Sequence, residues 1–180
     1  MIYWGSAGGF SSASKTLLPT NTATDNSVAD LNNDGYLDIV FCNAGGGASV
    51  IYWGSAGGFS PTSKTTLPTT GSATNSVADL NNDGYPDIIF GNNPGDSVIY
   101  WGSSGGFSAA SKTLLQTVAP GDISAVDLNT DGYLDIVFSC GASSSTIYWG
   151  SANGFDPANK TTLATTDAWG NTASISDRSS

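Results

Sequence analysis

The sequence contains no histidine and no glutamate, and its 180 residues include only two cysteines. Histidine and glutamate are the side chains most often used for acid–base catalysis. No cysteine or serine stands in a motif that would supply it with an activating base. We therefore do not expect this chain to be an enzyme.

Positive charge is also scarce. The basic residues are Lys15, Lys64, Lys112, Lys160 and Arg178, against fifteen aspartates, which leaves a net charge of −10. A chain with so few scattered cations cannot neutralise a phosphate backbone, so we expect no nucleic-acid partner. An anionic membrane surface is an equally poor partner for this charge.

Long apolar runs are missing as well. No segment approaches the roughly 18 consecutive apolar residues that a membrane-spanning helix requires, so no membrane insertion is expected. The first ten residues, MIYWGSAGGF, have neither the basic start nor the apolar stretch of a signal peptide. The two cysteines, Cys42 and Cys140, follow strand-like runs in different repeats, and we expect free thiols.

What the chain does contain is a repeat. The motif IYWGS begins at Ile2, Ile51, Ile99 and Ile147, at spacings of 49, 48 and 48 residues. A fixed period of this size is typical of solenoids and propellers, in which each unit buries a face on the next. Five Trp, seven Tyr and seven Phe indicate a folded chain despite its 23 glycines.

Each period contains four short runs rich in Val, Ile, Tyr, Trp and Thr, separated by turn residues. This pattern predicts an all-β fold made of propeller blades, each a meander of four antiparallel strands. We predict one repeat domain with three complete blades at 23–70, 71–118 and 119–164, and partial blades at 1–22 (strands 3 and 4) and 165–180 (strand 1). The tryptophans of the motif and the tyrosines before them are interpreted as core residues between blades, namely Trp4, Trp53, Trp101 and Trp149 with their neighbours.

Nine of the fifteen aspartates lie in three acidic loops, DLNNDGYLD at 30–38, DLNNDGYPD at 79–87 and DLNTDGYLD at 127–135. In each loop, oxygen-bearing side chains occupy positions 1, 3, 5 and 9, and position 7 can offer a backbone carbonyl. Oxygen ligands without His or Cys favour calcium over zinc or copper, and magnesium demands a stricter octahedron. We predict three structural Ca²⁺ sites, with ligands Asp30, Asn32, Asp34, Tyr36 and Asp38; Asp79, Asn81, Asp83, Tyr85 and Asp87; and Asp127, Asn129, Asp131, Tyr133 and Asp135.

The alternative interpretation is a hairpin turn rich in Asp and Asn, because Asn-Asp-Gly is a strong turn signal by itself. A turn alone would not require Asp at positions 1 and 9. The loops are not EF-hands, since position 12 is Phe41, Phe90 or Phe138 instead of a bidentate Glu. Three bound Ca²⁺ ions would add six positive charges and change the net charge from −10 to −4.

These loops and the repeat around them resemble the calcium-binding FG-GAP and VCBS repeats of integrin-α-type β-propellers and of related propeller lectins. The resemblance covers essentially the whole chain and is most specific at the acidic loops. It is looser elsewhere, because Gly9-Phe10 and its equivalents replace the Phe-Gly of that pattern. The resemblance implies adhesion, carbohydrate binding or scaffolding at the cell surface, and seldom catalysis.

We expect an extracellular or cell-surface module that binds a glycan or protein, with calcium as a structural ion. The alternative is a self-assembling structural subunit, because an unpaired strand edge is a template for association. The two partial blades could meet within one ring, across a closed oligomer or along an open filament. Asn159-Lys160-Thr161 matches a glycosylation sequon, but its equivalents in the other repeats begin with Ser, which favours a chance match.

Overall fold

The computed structural model describes residues 1–141 and 144–164. Within these ranges the chain forms fourteen β-strands and no helix, which confirms the predicted all-β class. The same ranges accordingly contain no helix long and apolar enough to cross a membrane. The strand predicted within 165–180 lies outside the described residues.

The strands form one two-stranded pair and three four-stranded antiparallel sheets, each built in chain order. The pair consists of β1 (Ile2–Tyr3) and β2 (Lys15–Thr16). Sheet 1 consists of β3 (Ala23–Ala29), β4 (Asp38–Asn43), β5 (Gly47–Tyr52) and β6 (Lys64–Thr69). Sheet 2 consists of β7 (Ser72–Ala78), β8 (Asp87–Asn92), β9 (Ser97–Tyr100) and β10 (Lys112–Leu115). Sheet 3 consists of β11 (Pro120–Val126), β12 (Asp135–Cys140), β13 (Ser145–Tyr148) and β14 (Lys160–Leu163). The predicted antiparallel meander of four strands is confirmed in all three sheets.

The turn after the third strand of each sheet is closed by the same local contacts. In sheet 1 the amide of Gly58 donates to the carbonyl of Ser55 at 2.8 Å, and the Ser55 hydroxyl donates to the carbonyl of Gly58 at 2.8 Å. Gly58 has a φ of 83°, a left-handed conformation that glycine adopts without steric cost. The Gly-Gly-Phe segment therefore forms a turn, after which β6 pairs with β5 at the edge of the sheet.

The acidic loops connect the first two strands of each sheet, and these strands pair in the same register in all three sheets. Ala29 pairs with Asp38, Ala78 with Asp87, and Val126 with Asp135, so each loop leaves and re-enters its sheet at an equivalent point. Each first strand also carries a register shift near its start. The three acidic loops are therefore presented in the same way by three separate sheets.

In the described part of the chain the core consists of three hydrophobic clusters, one at each junction between successive units. The first joins Leu18 near the β1–β2 pair to Ile39, Val50 and Tyr52 of sheet 1. The second lies between sheets 1 and 2, and the third between sheets 2 and 3. Burying each large apolar side chain contributes roughly 1.5–3 kcal/mol, so these clusters stabilise the packing of each unit on the next.

The tyrosines and tryptophans of the repeated motif take different places. Tyr52, Tyr100 and Tyr148 are completely buried, as predicted, whereas Tyr3 is 47% exposed. Trp53, Trp101 and Trp149 are half-buried, and Trp4 is 39% exposed. The tryptophans thus lie at the rim of the junctions, and the tyrosines lie in their interior.

Polar contacts also join sheets 1 and 2 through their first strands. The Asp25 carboxylate accepts hydrogen bonds from the backbone amide of Asn75 at 2.9 Å and from the Thr74 hydroxyl at 3.2 Å. Close by, the Ser72 hydroxyl donates to the sulfur of Cys42 at 3.2 Å. Cys42 and Cys140 are both buried free thiols, which confirms that expectation.

Candidate metal centres

The three acidic loops occupy the hairpins β3–β4, β7–β8 and β11–β12, as the sequence predicts. Position 1 of each loop is half-buried, and positions 3 and 5 are exposed. Position 9 is the first residue of the second strand and is completely buried in all three sheets, as Asp38, Asp87 and Asp135. Each loop therefore spans the boundary between solvent and the sheet interior.

The aspartate at position 1 organises the backbone of its loop. The two oxygens of Asp30 accept hydrogen bonds from the amides of Asp34, at 3.0 Å, and Gly35, at 2.8 Å. The corresponding distances are 3.1 and 2.9 Å around Asp79, and 3.2 and 2.9 Å around Asp127. Position 6 has a φ of 86–90°, which requires the glycine present in each loop. The chain consequently wraps around the first carboxylate in the same way three times.

Positions 3, 5 and 7 are linked by short hydrogen bonds. The amide oxygen of Asn32 accepts from the Asp34 backbone at 3.1 Å, and its nitrogen donates to the Asp34 carboxylate at 3.0 Å. The other Asp34 oxygen accepts from the Tyr36 amide at 2.8 Å. The same bonds occur in the second and third loops. The structure thus brings together four of the five predicted positions around the turn.

The aspartate at position 9 has a different role. One oxygen of Asp38 accepts from the Leu31 amide at 2.9 Å, and the other accepts from the Gly54 amide at 2.7 Å. Asp87 and Asp135 make the equivalent pairs of contacts. The spacing of the loop predicted this residue as a ligand, but its second contact, which joins the acidic loop to the Trp-Gly turn, was not predicted. The signal was the glycine after each tryptophan, which all four motifs share.

Burial and repulsion from neighbouring carboxylates both raise the pKa of Asp38 and of Asp87. The pKa of Asp87 is raised from 3.8 to about 6, chiefly by burial and also by the nearby Asp83 and Asp79 carboxylates, against two backbone hydrogen bonds that lower it. The pKa of Asp38 is raised by the same causes, burial first. A positive charge in the loop would favour the ionised form of these groups.

The first and second acidic loops also contact each other. The side-chain amide of Asn33, at position 4 of the first loop, donates to the carbonyl of Gly84, at position 6 of the second, at 2.8 Å. Asn33 has a φ of 58°, a left-handed conformation that asparagine adopts more readily than most residues. This contact was not predicted, because nothing in the spacing of the repeat shows which loops are adjacent.

The donor set of each loop consists of oxygen atoms and fits a hard cation such as Ca²⁺. Residues 1–141 and 144–164 nevertheless contain no group of three or more Asp, Glu, His or Cys side chains placed to hold a metal ion. A site in one loop would therefore also need the Asn amide oxygen at position 3 and the backbone carbonyl at position 7. Both are neutral oxygen donors that calcium accepts.

Comparison with protein families gives one match. The FG-GAP-like repeat matches residues 30–90 and again residues 79–138, so the two matches together cover 109 of the 180 residues. Each match begins at the first aspartate of an acidic loop and extends through the next loop. A search of curated proteins found no match. FG-GAP repeats are typical of extracellular proteins and are generally non-enzymatic. The chain belongs to the FG-GAP-like repeat family.

Proposed function

We propose that this chain is a calcium-stabilised, non-enzymatic β-propeller module of an extracellular or cell-surface protein, where it binds a glycan or a protein partner. The observation that carries the proposal is the threefold recurrence of one loop geometry, in which the first aspartate accepts the amides of positions 5 and 6. An ordinary turn does not need this many carboxylates at the same places in three sheets.

Calcium would be held by the side chains at positions 1, 3, 5 and 9 and by the carbonyl at position 7. When bound, the ion supplies positive charge that offsets the repulsion between carboxylates and closes the hairpin. The chain's own residues prepare the site, since Asp30 fixes the loop backbone and buried Asp38 fixes the start of β4. Three carboxylates per loop suit the millimolar calcium outside cells, where sites of modest affinity stay filled.

The arrangement of the sheets supports a propeller-type module. The first strands of successive sheets lie beside one another, with β7 between β3 and β11, and the sheets pack face to face through their apolar clusters. In a propeller, four-stranded sheets are arranged radially in this way around a central axis. Grooves between such blades and the loops at their ends are the surfaces on which we expect a ligand.

The test of calcium binding is titration calorimetry together with thermal unfolding in Ca²⁺, Mg²⁺ and EDTA. We expect three Ca²⁺ per chain, a clear fall in the melting temperature with EDTA, and little rescue by Mg²⁺. A variant with Asp34→Asn, Asp83→Asn and Asp131→Asn should lose both effects. The matched control makes the same change in charge outside the loops, with Asp96→Asn, Asp122→Asn and Asp156→Asn. No heat of binding and identical melting in all three solutions would disprove the calcium proposal.

A second candidate function, a self-assembling structural subunit, is favoured by a separate observation. The side chains Tyr3 and Phe10 are 47% and 77% exposed, although their equivalents in the later units are buried or half-buried. A glycan array and electron microscopy of the purified chain distinguish the two candidates. Selective sugar binding supports the binding module, and regular oligomers or filaments support the subunit.

A further inference from the structure

One aromatic contact is repeated at every junction between units. The tryptophan of one unit stacks on the phenylalanine of the next, with ring planes inclined by 23–26°. The centroid distances are 6.1 Å for Trp4–Phe59, 6.5 Å for Trp53–Phe107 and 6.4 Å for Trp101–Phe155. Every junction therefore uses the tryptophan from one side and the phenylalanine from the other.

A hydrogen bond accompanies each stack, with its donor always in the later unit and its acceptor in the preceding unit. The hydroxyl of Tyr100 donates to the carbonyl of Pro68 at 2.6 Å, and that of Tyr148 donates to the carbonyl of Gln116 at 2.7 Å. Tyr52 makes the equivalent bond to the carbonyl of Pro19. The acceptor is always the residue that follows a leucine in or just after the last strand of the preceding unit, namely Leu18, Leu67 or Leu115. The junction is thus heterologous, with two different and complementary faces.

Among residues 1–141 and 144–164, nothing covers the first of these faces on sheet 3. Its residues Val137, Ile147 and Leu163 occupy the places of Val40, Ile51 and Leu67 in sheet 1, which are 0–1% exposed. In sheet 3, Val137 and Ile147 are only half-buried and Leu163 is 44% exposed. Among the described residues, no phenylalanine ring stacks on Trp149. This surface, the sheet 3 face, is half of a junction.

The β1–β2 unit presents the other half. Tyr3 is 47% exposed and Phe10 is 77% exposed, whereas the equivalent Tyr148 and Phe155 in sheet 3 are 0% and 7% exposed. No tryptophan within the described ranges stacks on Phe10. This surface, the Phe10 face, carries the two side chains that a preceding unit would cover.

We propose that the sheet 3 face of one chain docks on the Phe10 face of a second copy, head to tail, with Phe10 stacked on Trp149. In this contact the Tyr3 hydroxyl donates to the carbonyl of Ala164, which corresponds to Gln116 and Pro68. We choose a second copy as the occupant because the same contact is formed three times within the chain, so that docking of another copy would continue an existing type of interface. The inference rests on the second candidate function, self-association, and supplies its contact residues.

Charge affects the strength of this contact without specifying it. Each copy carries a net charge of −10, or −4 with three Ca²⁺ bound, so two copies repel each other at low ionic strength. The facing residues are mainly aromatic and aliphatic, so screening the charges with salt strengthens association through an apolar surface. A contact based on ion pairs would respond to salt in the opposite direction.

The experiment measures the mass of the full chain by sedimentation equilibrium over a range of concentrations, in Ca²⁺ and moderate salt. The wild type should exceed the monomer mass increasingly with concentration, because a heterologous contact can add further copies. Phe10→Ala and Trp149→Ala should each raise the dissociation constant about tenfold or more, as expected for central aromatic residues. Leu163→Asp is a second variant of the sheet 3 face, in case Trp149→Ala unfolds.

Mixing the two single variants gives the sharpest result. Phe10→Ala retains an intact sheet 3 face and Trp149→Ala retains an intact Phe10 face, so the mixture should form a dimer and nothing larger. The control is Leu114→Ala, which removes a 50% exposed apolar side chain from sheet 2, away from both faces, and should associate like the wild type. Circular dichroism confirms that each variant is folded.

Two results would overturn the inference, and they differ in what else they affect. If the wild type associates but Phe10→Ala and Trp149→Ala associate equally well, the proposed contact is wrong and self-association stands. If the wild type remains monomeric at every concentration and salt, both the contact and the second candidate function are wrong. Calcium binding is measured separately and is unaffected by either result.

Discussion

The carboxylate of Asp38 accepts a hydrogen bond from the backbone amide of Gly54 at 2.7 Å. Its other oxygen accepts one from the amide of Leu31 at 2.9 Å. One completely buried side chain therefore joins the acidic loop to the Trp-Gly turn, sixteen residues later in the chain. This link separates two roles within the loop, since Asp38 is tied to protein amides on both oxygens while Asp34 lies exposed on the solvent side.

The first prediction concerns these two roles. Asp38→Asn leaves one amide facing an NH₂ group, so the free energy of unfolding should fall by about 2 kcal/mol in EDTA, and by more in Ca²⁺, where a ligand is lost as well. Asp34→Asn should destabilise the protein in Ca²⁺ only, because its contribution comes through the ion. Denaturant unfolding of both variants in each solution provides the measurement. Equal losses for Asp34→Asn in Ca²⁺ and EDTA would contradict the assignment of Asp34 as a ligand.

The second prediction concerns the glycine that follows each tryptophan. A Cβ on Gly102 would lie 2.2 Å from the carbonyl oxygen of Pro86, so Gly102→Ala should destabilise the fold by about 3 kcal/mol. Gly105→Ala is the control, because a Cβ there meets nothing closer than the Ser103 hydroxyl at 3.7 Å. Thermal unfolding should show a large shift for the first variant and almost none for the second. A similar shift for both would refute the steric argument.

The third prediction compares one substitution at two equivalent positions. Phe155 is 7% exposed and stacks on Trp101, so Phe155→Ala should cost about 3–4 kcal/mol of stability. Phe10 is 77% exposed, and Phe10→Ala should change the stability of the monomer by less than about 0.5 kcal/mol. Measurements in dilute solution, below the range of association, give the comparison. A large loss at Phe10 would mean that its ring is covered within a single chain.

The fourth prediction concerns the thiol of Cys42. Burial raises its pKa from 9.0 to about 11, against weaker lowering by Ser72 and Asn75. The unfolded thiol ionises first as pH rises, so the folded state loses stability between pH 9 and pH 11, by about 1.4 kcal/mol at pH 10. Comparing the pH dependence of unfolding in wild type and Cys42→Ala isolates this contribution. Identical pH profiles would argue against it, as would rapid labelling of the native thiol by a disulfide reagent at pH 8.

The fifth prediction concerns position 4 of the acidic loops. Asn33, Asn82 and Thr130 all have a φ near 60° there, at 58°, 56° and 60°. Asn tolerates this left-handed conformation, whereas a β-branched residue is strained by it. Thr130→Asn should therefore stabilise the third hairpin by about 1 kcal/mol. The reverse change, Asn82→Thr, should destabilise the second hairpin by a similar amount, and unfolding measurements of both variants test the pair.

Sequence patterns predicted those features that depend on neighbouring residues. The position of each acidic loop in a hairpin, the four-stranded sheets and the burial of Tyr52, Tyr100 and Tyr148 follow from local periodicity and turn residues. Contacts between units could not be predicted in the same way. The hydrogen bond from the Asn75 amide to Asp25 joins residues fifty positions apart, and the partner of each side chain depends on how two sheets meet. The five proposed ligand positions in each loop remain a prediction.

The stacking of each tryptophan on the phenylalanine one period later has an evolutionary consequence. Both members of the contact are encoded at fixed places in the same repeat, so duplicating or deleting one whole period recreates a matching pair at the new junction. The gene can therefore change length in steps of about 48 residues without any compensating substitution. An insertion of one residue within a strand would instead shift its register and turn these side chains to the opposite face of the sheet.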